Sequence, residues 1–338
     1  MGVRQLLLLG VVLLTAPIAL ASAQDSDRLA VPRRGPDPVF QSGTDLVVLP
    51  LTVTDARQKY VTGLTMADFQ VYEDGILQDL AFFAADPVPL DLAILLDTSA
   101  SMQGRLAMAQ DAAVGFVRSL RAGDRASVIE FSDAARVRQP LVADLARVES
   151  AIRETTTGGG TALYTALYIA LKELTRQSTT SGEVRRQAIV LLSDGDDTRS
   201  LITSDDVVEL VRRSGIVIYT ISIRAGLGAP GGHTATSGHR SSTRSWFESE
   251  SDYLMRMLAE ETGGRAFFPI GIEELTPVYG LIAEELAQQY TLGYSPKNPR
   301  LDGAFRRIAV RLPSQPGARP RTRLGYLASG ARRADGRR

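Results

Sequence analysis

The sequence predicts an α/β fold: a doubly wound, mostly parallel Rossmann-like sheet set into a small β-sandwich built from N- and C-terminal strands. Three observations predict it. Between residues 91 and 223, the short apolar runs DLAILLD, RASVIEFS, RQAIVLLSD and IVIYTISI alternate with stretches of helical period. Strands that are apolar on both sides belong to a parallel sheet covered on both faces. Outside this region the rhythm shortens to the two-residue alternation of half-buried strands, in DLVVLPLTVTD and DFQVYEDGILQDLAFF before it and in QYTLGYSP, FRRIAVRLP and RTRLGYLA after it. Neither flank has enough strands to close a core, so the two are expected to complete each other around the inserted α/β part. Finally, two of the apolar strands end in aspartate, Asp97 and Asp194, at the carboxyl edge where open parallel sheets gather their functional groups.

Taken in order, the chain opens with one arginine, an apolar stretch from Leu6 to Leu20, and Ala21, Ser22 and Ala23 before Gln24. This is the pattern of a secretory signal peptide over residues 1–23. The stretch falls short of the roughly 20 residues of a spanning helix, and no later segment is apolar for long enough, so the mature chain is expected in the periplasm or secreted, without a membrane span. Exported chains often carry disulfides, but cysteine is absent here, and stability must come from the core. Residues 24–43, with Pro32, Pro36 and Pro38, read as a linker. The first sandwich half follows over 44–87, with a tight turn at Glu73-Asp74-Gly75.

The α/β part is expected over 88–289. Its helices are MQGRLAMAQDAAVGFVRSL, TALYTALYIALKEL, SDDVVELVRRSG, DYLMRMLAEETGG and IEELTPVYGLIAEELAQQ, the last two flanking a short strand in RAFFPI. A Gly/Ser/Thr-rich loop interrupts it at 225–250. Residues 290–329 supply the remaining sandwich strands, and 330–338 form a disordered tail. With 38 basic and 38 acidic residues cancelling, no net field favours nucleic acid or an anionic membrane.

The first apolar strand runs into LLDTSAS. In an extended segment alternate residues point the same way, so Asp97, Ser99 and Ser101 converge. Carboxylate and hydroxyl oxygens are hard donors that suit Mg²⁺, Mn²⁺ or Ca²⁺ rather than zinc or copper. TTTGGGTALY sets Thr161 behind three glycines at a helix start, and LLSDGDD sets Asp194 at the end of the next core strand. In this order and context the five residues resemble the metal-ion-dependent adhesion site of von Willebrand factor type A domains, and the resemblance spans about residues 88 to 270. It implies that Ser99, Ser101 and Thr161 ligate the metal through hydroxyls, while Asp97 and Asp194 hold it largely through water, as suits an ion that sheds water reluctantly. Two carboxylates only balance a divalent cation. The metal is therefore left able to attract an anionic oxygen, from an acidic side chain of a protein partner or from a smaller carboxylate. The flanks VTDARQKYVTGLTMADFQVYEDGILQDLAFF and QQYTLGYSPKNPRLDGAFRRIAVRLP extend the likeness, being similar to the ends of exported VWFA-related proteins of acidobacteria.

Simpler readings compete. Each serine alone suits the cap of a helix beginning near Met102, and Thr161 the cap of its own helix; five such residues in order at strand ends favour a metal site. Asp196 and Asp197 are expected to be turn residues outside the ligand set. The triple glycine lacks the lysine of a phosphate-binding loop and serves to bring Thr161 close. His233 and His239 both lie in the 225–250 loop, away from any G-x-S-x-G turn, so no catalytic residue is assigned. The expected function is thus an exported, divalent-metal-dependent binding or adhesion module. A metal-dependent hydrolase and a structural component of an envelope assembly are the alternatives. Arg240, Arg244, Trp246 and Phe247, in the loop that leaves the same edge of the sheet, are candidates for a ligand rim, against the simpler reading of that loop as a solvated insertion.

Overall fold

The computed structural model describes residues 46–86, 88–181, 184–194, 196–223 and 250–328. The signal peptide, the linker, the tail 330–338 and the rim residues Arg240, Arg244, Trp246 and Phe247 lie outside the described residues.

The first flank forms β1 (Val47–Thr54), β2 (Gln70–Glu73), β3 (Ile76–Leu77) and β4 (Leu80–Ala84). The α/β region then runs β5 (Leu90–Asp97), α1 (Leu106–Val117), β6 (Arg125–Phe131), β7 (Ala135–Val142), α2 (Leu145–Arg153), α3 (Leu163–Ser181), β8 (Arg186–Ser193), α4 (Ser204–Ser214), β9 (Val217–Ser222), α5 (Glu250–Thr262), β10 (Ala266–Phe267) and α6 (Leu275–Ala287). The second flank adds β11 (Tyr290–Tyr294), β12 (Phe305–Arg311), β13 (Arg319–Arg321) and β14 (Gly325–Leu327).

Six strands make the central sheet, in the order β10-β9-β8-β5-β6-β7, parallel except for β7 at one edge. Every residue of β5 is buried, because helices cover both of its faces. Leu92, Ile94 and Leu96 meet α1, α2 and α6 on one side, whereas Ala93 and Leu95 meet α3, α4 and α5 on the other. Each such leucine or isoleucine contributes about 2 kcal/mol through its removal from water. The connections leave β5 toward β6 on one flank and return to β8 on the other, so the winding reverses between β5 and β8. A crevice forms there at the carboxyl edge, between Asp97 and Ser193.

Two elements were not anticipated. β7 carries ARVRQPLV, in which only Gln139 is buried, so it lacks the apolar run that marks its neighbours. It is tolerated, Pro140 included, because it sits at the sheet edge. α2 follows it as a short helix capped by Asp144, whose side chain accepts from Ala146 N. α1 also begins later than its periodicity predicts: a single 3₁₀ turn spans Ala100–Met102, and Gly104 at φ +83° turns the chain before Leu106.

The flanking strands form two sheets, β13-β1-β11-β4 and β14-β12-β2-β3. β1 pairs antiparallel with β11, from Val47 opposite Tyr294 to Leu51 opposite Tyr290, so segments some 240 residues apart share one sheet. Between the sheets lie Leu49, Leu51, Phe69, Val71, Leu292, Tyr294 and Ile308. The turn at Glu73-Asp74-Gly75 is a two-residue hairpin with Asp74 at φ +48° and Gly75 at φ +82°, the primed geometry that matches strand twist.

A buried charge cluster ties the sandwich to the central sheet. Glu285 of α6, 1% exposed, pairs with Arg321 of β13 at 2.5 Å and accepts from the Tyr219 hydroxyl of β9 at 2.8 Å. Arg321 also donates to Gly264 O at 2.5 Å. Gly264 must be glycine, since a Cβ there would stand 1.9 Å from Ile218 O. Arg321→Ala, which leaves Glu285 without this guanidinium, is expected to cost about 3 kcal/mol, read as a lowered urea midpoint, whereas Arg321→Leu combined with Glu285→Leu recovers most of the loss.

Candidate metal centre

Asp97 ends β5 fully buried. Its Oδ1 accepts from Ser99 N at 2.9 Å, and its Oδ2 accepts from the Ser193 hydroxyl at 2.5 Å across the β5–β8 crevice. The Ser99 and Ser101 hydroxyls lie 2.9 Å apart. Ser101 in turn donates to Asp194 Oδ1 at 2.6 Å, and Arg105 Nη1 donates to Asp194 Oδ2 at 3.0 Å. Four of the five residues singled out in the sequence thus form one continuous polar chain, from Asp97 through the two serines to Asp194.

Backbone contacts close the loops around it. Thr98 N bonds Phe131 O at 2.8 Å, which ends the strand ladder in register. The turn is then zipped to the glycine segment, with Gly158 N on Thr98 O at 2.8 Å and Ala100 N on Gly159 O at 3.0 Å. Gly159 takes φ +78°, a conformation that suits glycine, and a Cβ there would fall 2.4 Å from an oxygen of Asp133, displacing the carboxylate whose other oxygen accepts from Gly160 N. Thr161 is held from the other side, where its carbonyl accepts from Thr198 N at 2.8 Å and Arg199 N at 3.0 Å. It is 5% exposed, and its hydroxyl makes no hydrogen bond to the other four residues among those described. The structure therefore fixes Thr161 by backbone contacts to Thr198 and Arg199; along the chain it lies two to three residues from Gly159 and Gly158, which pack on the serine turn.

The capping alternative does not describe these hydroxyls. Ser99 precedes the 3₁₀ turn without a side-chain cap bond, and Arg105, the residue before α1, makes none either. For α3, the amide of Tyr164 is satisfied by Asp197 Oδ2 and that of Thr165 by Ser200 Oγ, both at 2.9 Å. Asp197 also accepts from Ser200 N and so is a turn residue as well as a helix cap. Asp196 accepts from Ser251 N at the start of α5, at 3.3 Å.

Two neighbours were missed in the sequence. Ser193 had a usable signal, being the last residue of an apolar parallel strand beside Asp97 and adjacent to Asp194. Arg105 had none: it lies in the irregular turn after Gly104, and its partner is 89 residues away.

Electrostatics distinguish the two carboxylates. Burial pushes the Asp97 carboxyl above the ordinary range, the bonds from Ser193 and Ser99 offset part of that, and the charge of Asp194 adds to the rise. Among the described residues no lysine or arginine stands within ion-pairing distance of Asp97, whereas Asp194 has Arg105. No group of three or more His, Cys, Asp or Glu side chains forms a metal cluster among the described residues. The polar chain instead offers two carboxylates and hydroxyls, and a buried carboxylate lacking a counter-ion beside such hard donors fits Mg²⁺ or Mn²⁺.

Residues 92–196, from β5 to just beyond β8, match the family model of the von Willebrand factor type A domain. The chain therefore carries a von Willebrand factor type A domain, flanked by the additional sheets of its termini. Among curated relatives, a UPF0353 protein of Nocardia farcinica is 27% identical over 219 residues, covering 59% of this chain and 64% of its own length. An uncharacterized protein of Synechocystis is 34% identical over 113 residues, 32% of this chain and 26% of the relative. The chain thus spans less than two thirds of either. Among solved structures, a von Willebrand factor type A protein from Catenulispora acidiphila is similar at 14% identity and a TM-score of 0.46, covering 85% of this chain and 75% of that one. Proximal thread matrix protein 1 of the mussel byssus, solved with a zinc-occupied MIDAS motif, is similar at 18% identity and a TM-score of 0.46, covering 63% and 49%.

Because its folded-state value is raised, ionised Asp97 opposes folding: the penalty is absent below the ordinary carboxylate value of 3.8, grows as pH rises from there toward the raised value, and levels off above it. Asp97→Asn is accordingly expected to stabilise the chelator-treated protein at pH 7, read as a raised urea midpoint. Urea denaturation should show that gain shrinking to nothing as the pH falls below 4.

Proposed function

We propose that Asp97, Ser99, Ser101, Thr161 and Asp194 hold a divalent cation, with Mg²⁺ preferred and Mn²⁺ or Ca²⁺ able to replace it, and that the protein binds an acidic protein or other carboxylate-bearing ligand through it. One observation carries this reading: a fully buried carboxylate, Asp97, faces two serines and a second carboxylate without a cationic side chain of its own. The type A match over 92–196 supports it, since the matched segment contains all of these residues and metal-dependent protein interaction is the usual business of such domains.

In this reading the three hydroxyls contact the ion and the two carboxylates steady it through water. When bound, the cation supplies an electrophilic point that attracts an anionic oxygen. The chain's own part is to hold those donors still, which the backbone zips from Thr98 to Gly158 and from Ala100 to Gly159 accomplish. Action outside the cytoplasm follows from the leader-like residues 1–23. Catalysis is not part of the proposal, because the residues identified all act as ligands or as supports for ligands.

Calorimetric titration of Mn²⁺ and of Mg²⁺ into the chelator-treated protein tests the reading. Saturable one-site binding is expected, weakened at least tenfold in Asp97→Ala and in Thr161→Ala, with circular dichroism spectra unchanged. A wild-type protein that binds neither ion, or variants that bind as wild type does, would overturn it.

A further inference from the structure

We propose that Arg105 is a built-in competitor for the cation: its guanidinium occupies Asp194 while no metal is bound, and metal entry requires its displacement. The inference rests on the metal reading above and concerns a residue outside the five ligands. Asp194 is the observation that carries it. Its side chain has no exposed surface, and its two oxygens are taken separately, Oδ1 by the Ser101 hydroxyl at 2.6 Å and Oδ2 by Arg105 Nη1 at 3.0 Å. Ser101 keeps lone pairs for a cation even while it donates to Asp194. Arg105 has no such capacity. A guanidinium only donates and stays charged, so while it sits on Asp194 Oδ2 it repels any dication that Asp194 is to hold, even through water.

The position of Arg105 suits displacement. It follows Gly104, whose φ of +83° sets the turn, and it precedes α1 without a side-chain cap bond to hold it there. Its side chain is 28% exposed, so the guanidinium has a solvated direction in which to move. No other acidic side chain pairs with it among the described residues.

Two consequences have opposite signs. Competition weakens metal affinity, because a positive charge must be expelled from the carboxylate the cation needs. After displacement the arginine remains tethered beside the site, and a dication with two carboxylates and one guanidinium leaves the loaded site with one net positive charge. Arg105 thereby favours an anionic ligand over a neutral one. It is a specificity-determining and positioning residue rather than a ligand of the metal.

Mn²⁺ alone is the probe. Arg105→Gln is expected to tighten Mn²⁺ binding about three- to tenfold in calorimetric titration at moderate salt, the scale of one like charge removed from a partly solvated dication. Arg105→Met, which keeps the packing of the stem, should behave as Arg105→Gln does, and Arg105→Lys, which keeps the charge, should stay within about twofold of wild type. In thermal denaturation with chelator the two neutral variants should melt below wild type, yet gain more from added Mn²⁺. Tightening cannot come from structural damage, which weakens binding. Wild-type binding with unchanged or weaker affinity in both neutral variants overturns this inference and leaves the metal site standing. No Mn²⁺ binding by any of the proteins overturns the metal reading and this inference with it, and binding by the neutral variants alone supports both.

Discussion

A charged carboxylate at the floor of a crevice between two apolar strands is the constraint around which this protein is arranged. Asp97 lies where the sheet reverses its winding, with β6 on one side and β8 on the other, so it cannot reach solvent without breaking the ladder. Ionised carboxylate in such a place needs donors, and every local feature supplies one. Ser99 turns its amide back, Ser193 reaches across from β8, and the serine turn links the carboxylate to Asp194. Hydrogen bonds reduce the cost of burial without cancelling the charge. In the proposed reading a cation completes what the hydroxyls leave undone.

The rest of the domain can be understood as support for that arrangement. Helices on both faces exclude water from β5 and hold its end in place, while the glycine segment lets two loops pack backbone to backbone. Gly159 makes that approach possible, since its φ of +78° is one that a residue with a side chain rarely adopts. The sandwich contributes at a distance. By pairing β1 with β11 it gathers the chain on either side of the α/β part into one sheet, and through Arg321 and Glu285 it grips α6, the helix that covers the face carrying Leu92, Ile94 and Leu96.

Charge at the site is divided unequally. Asp97 is steadied only by neutral donors, whereas Asp194 is covered by a guanidinium, and the difference gives the two carboxylates different relations to a cation. One is in need of a counter-ion; the other already has a replaceable one. Under the proposed metal reading, such a division separates holding a metal from regulating how tightly it is held, through a single residue outside the ligand set.

The α/β class was legible because buried parallel strands require continuous apolar runs and covering helices require their own period, and both are local patterns. For the same reason the order Asp97, Ser99, Ser101, Thr161, Asp194 could be read directly, as could the hairpin at Asp74-Gly75. β7 was not legible, since an edge strand exposed along most of its length obeys no apolar rule, and neither was the late start of α1, which depends on one glycine torsion. By itself, then, the sequence determined which layers form and which oxygen side chains stand at the carboxyl edge. Only the tertiary structure decided that Ser193 shares Asp97, that Arg105 covers Asp194, and that Thr161 is placed by its backbone. Those pairings join residues some 30 to 100 positions apart, and their distances are set by how strands and loops pack rather than by any spacing along the chain.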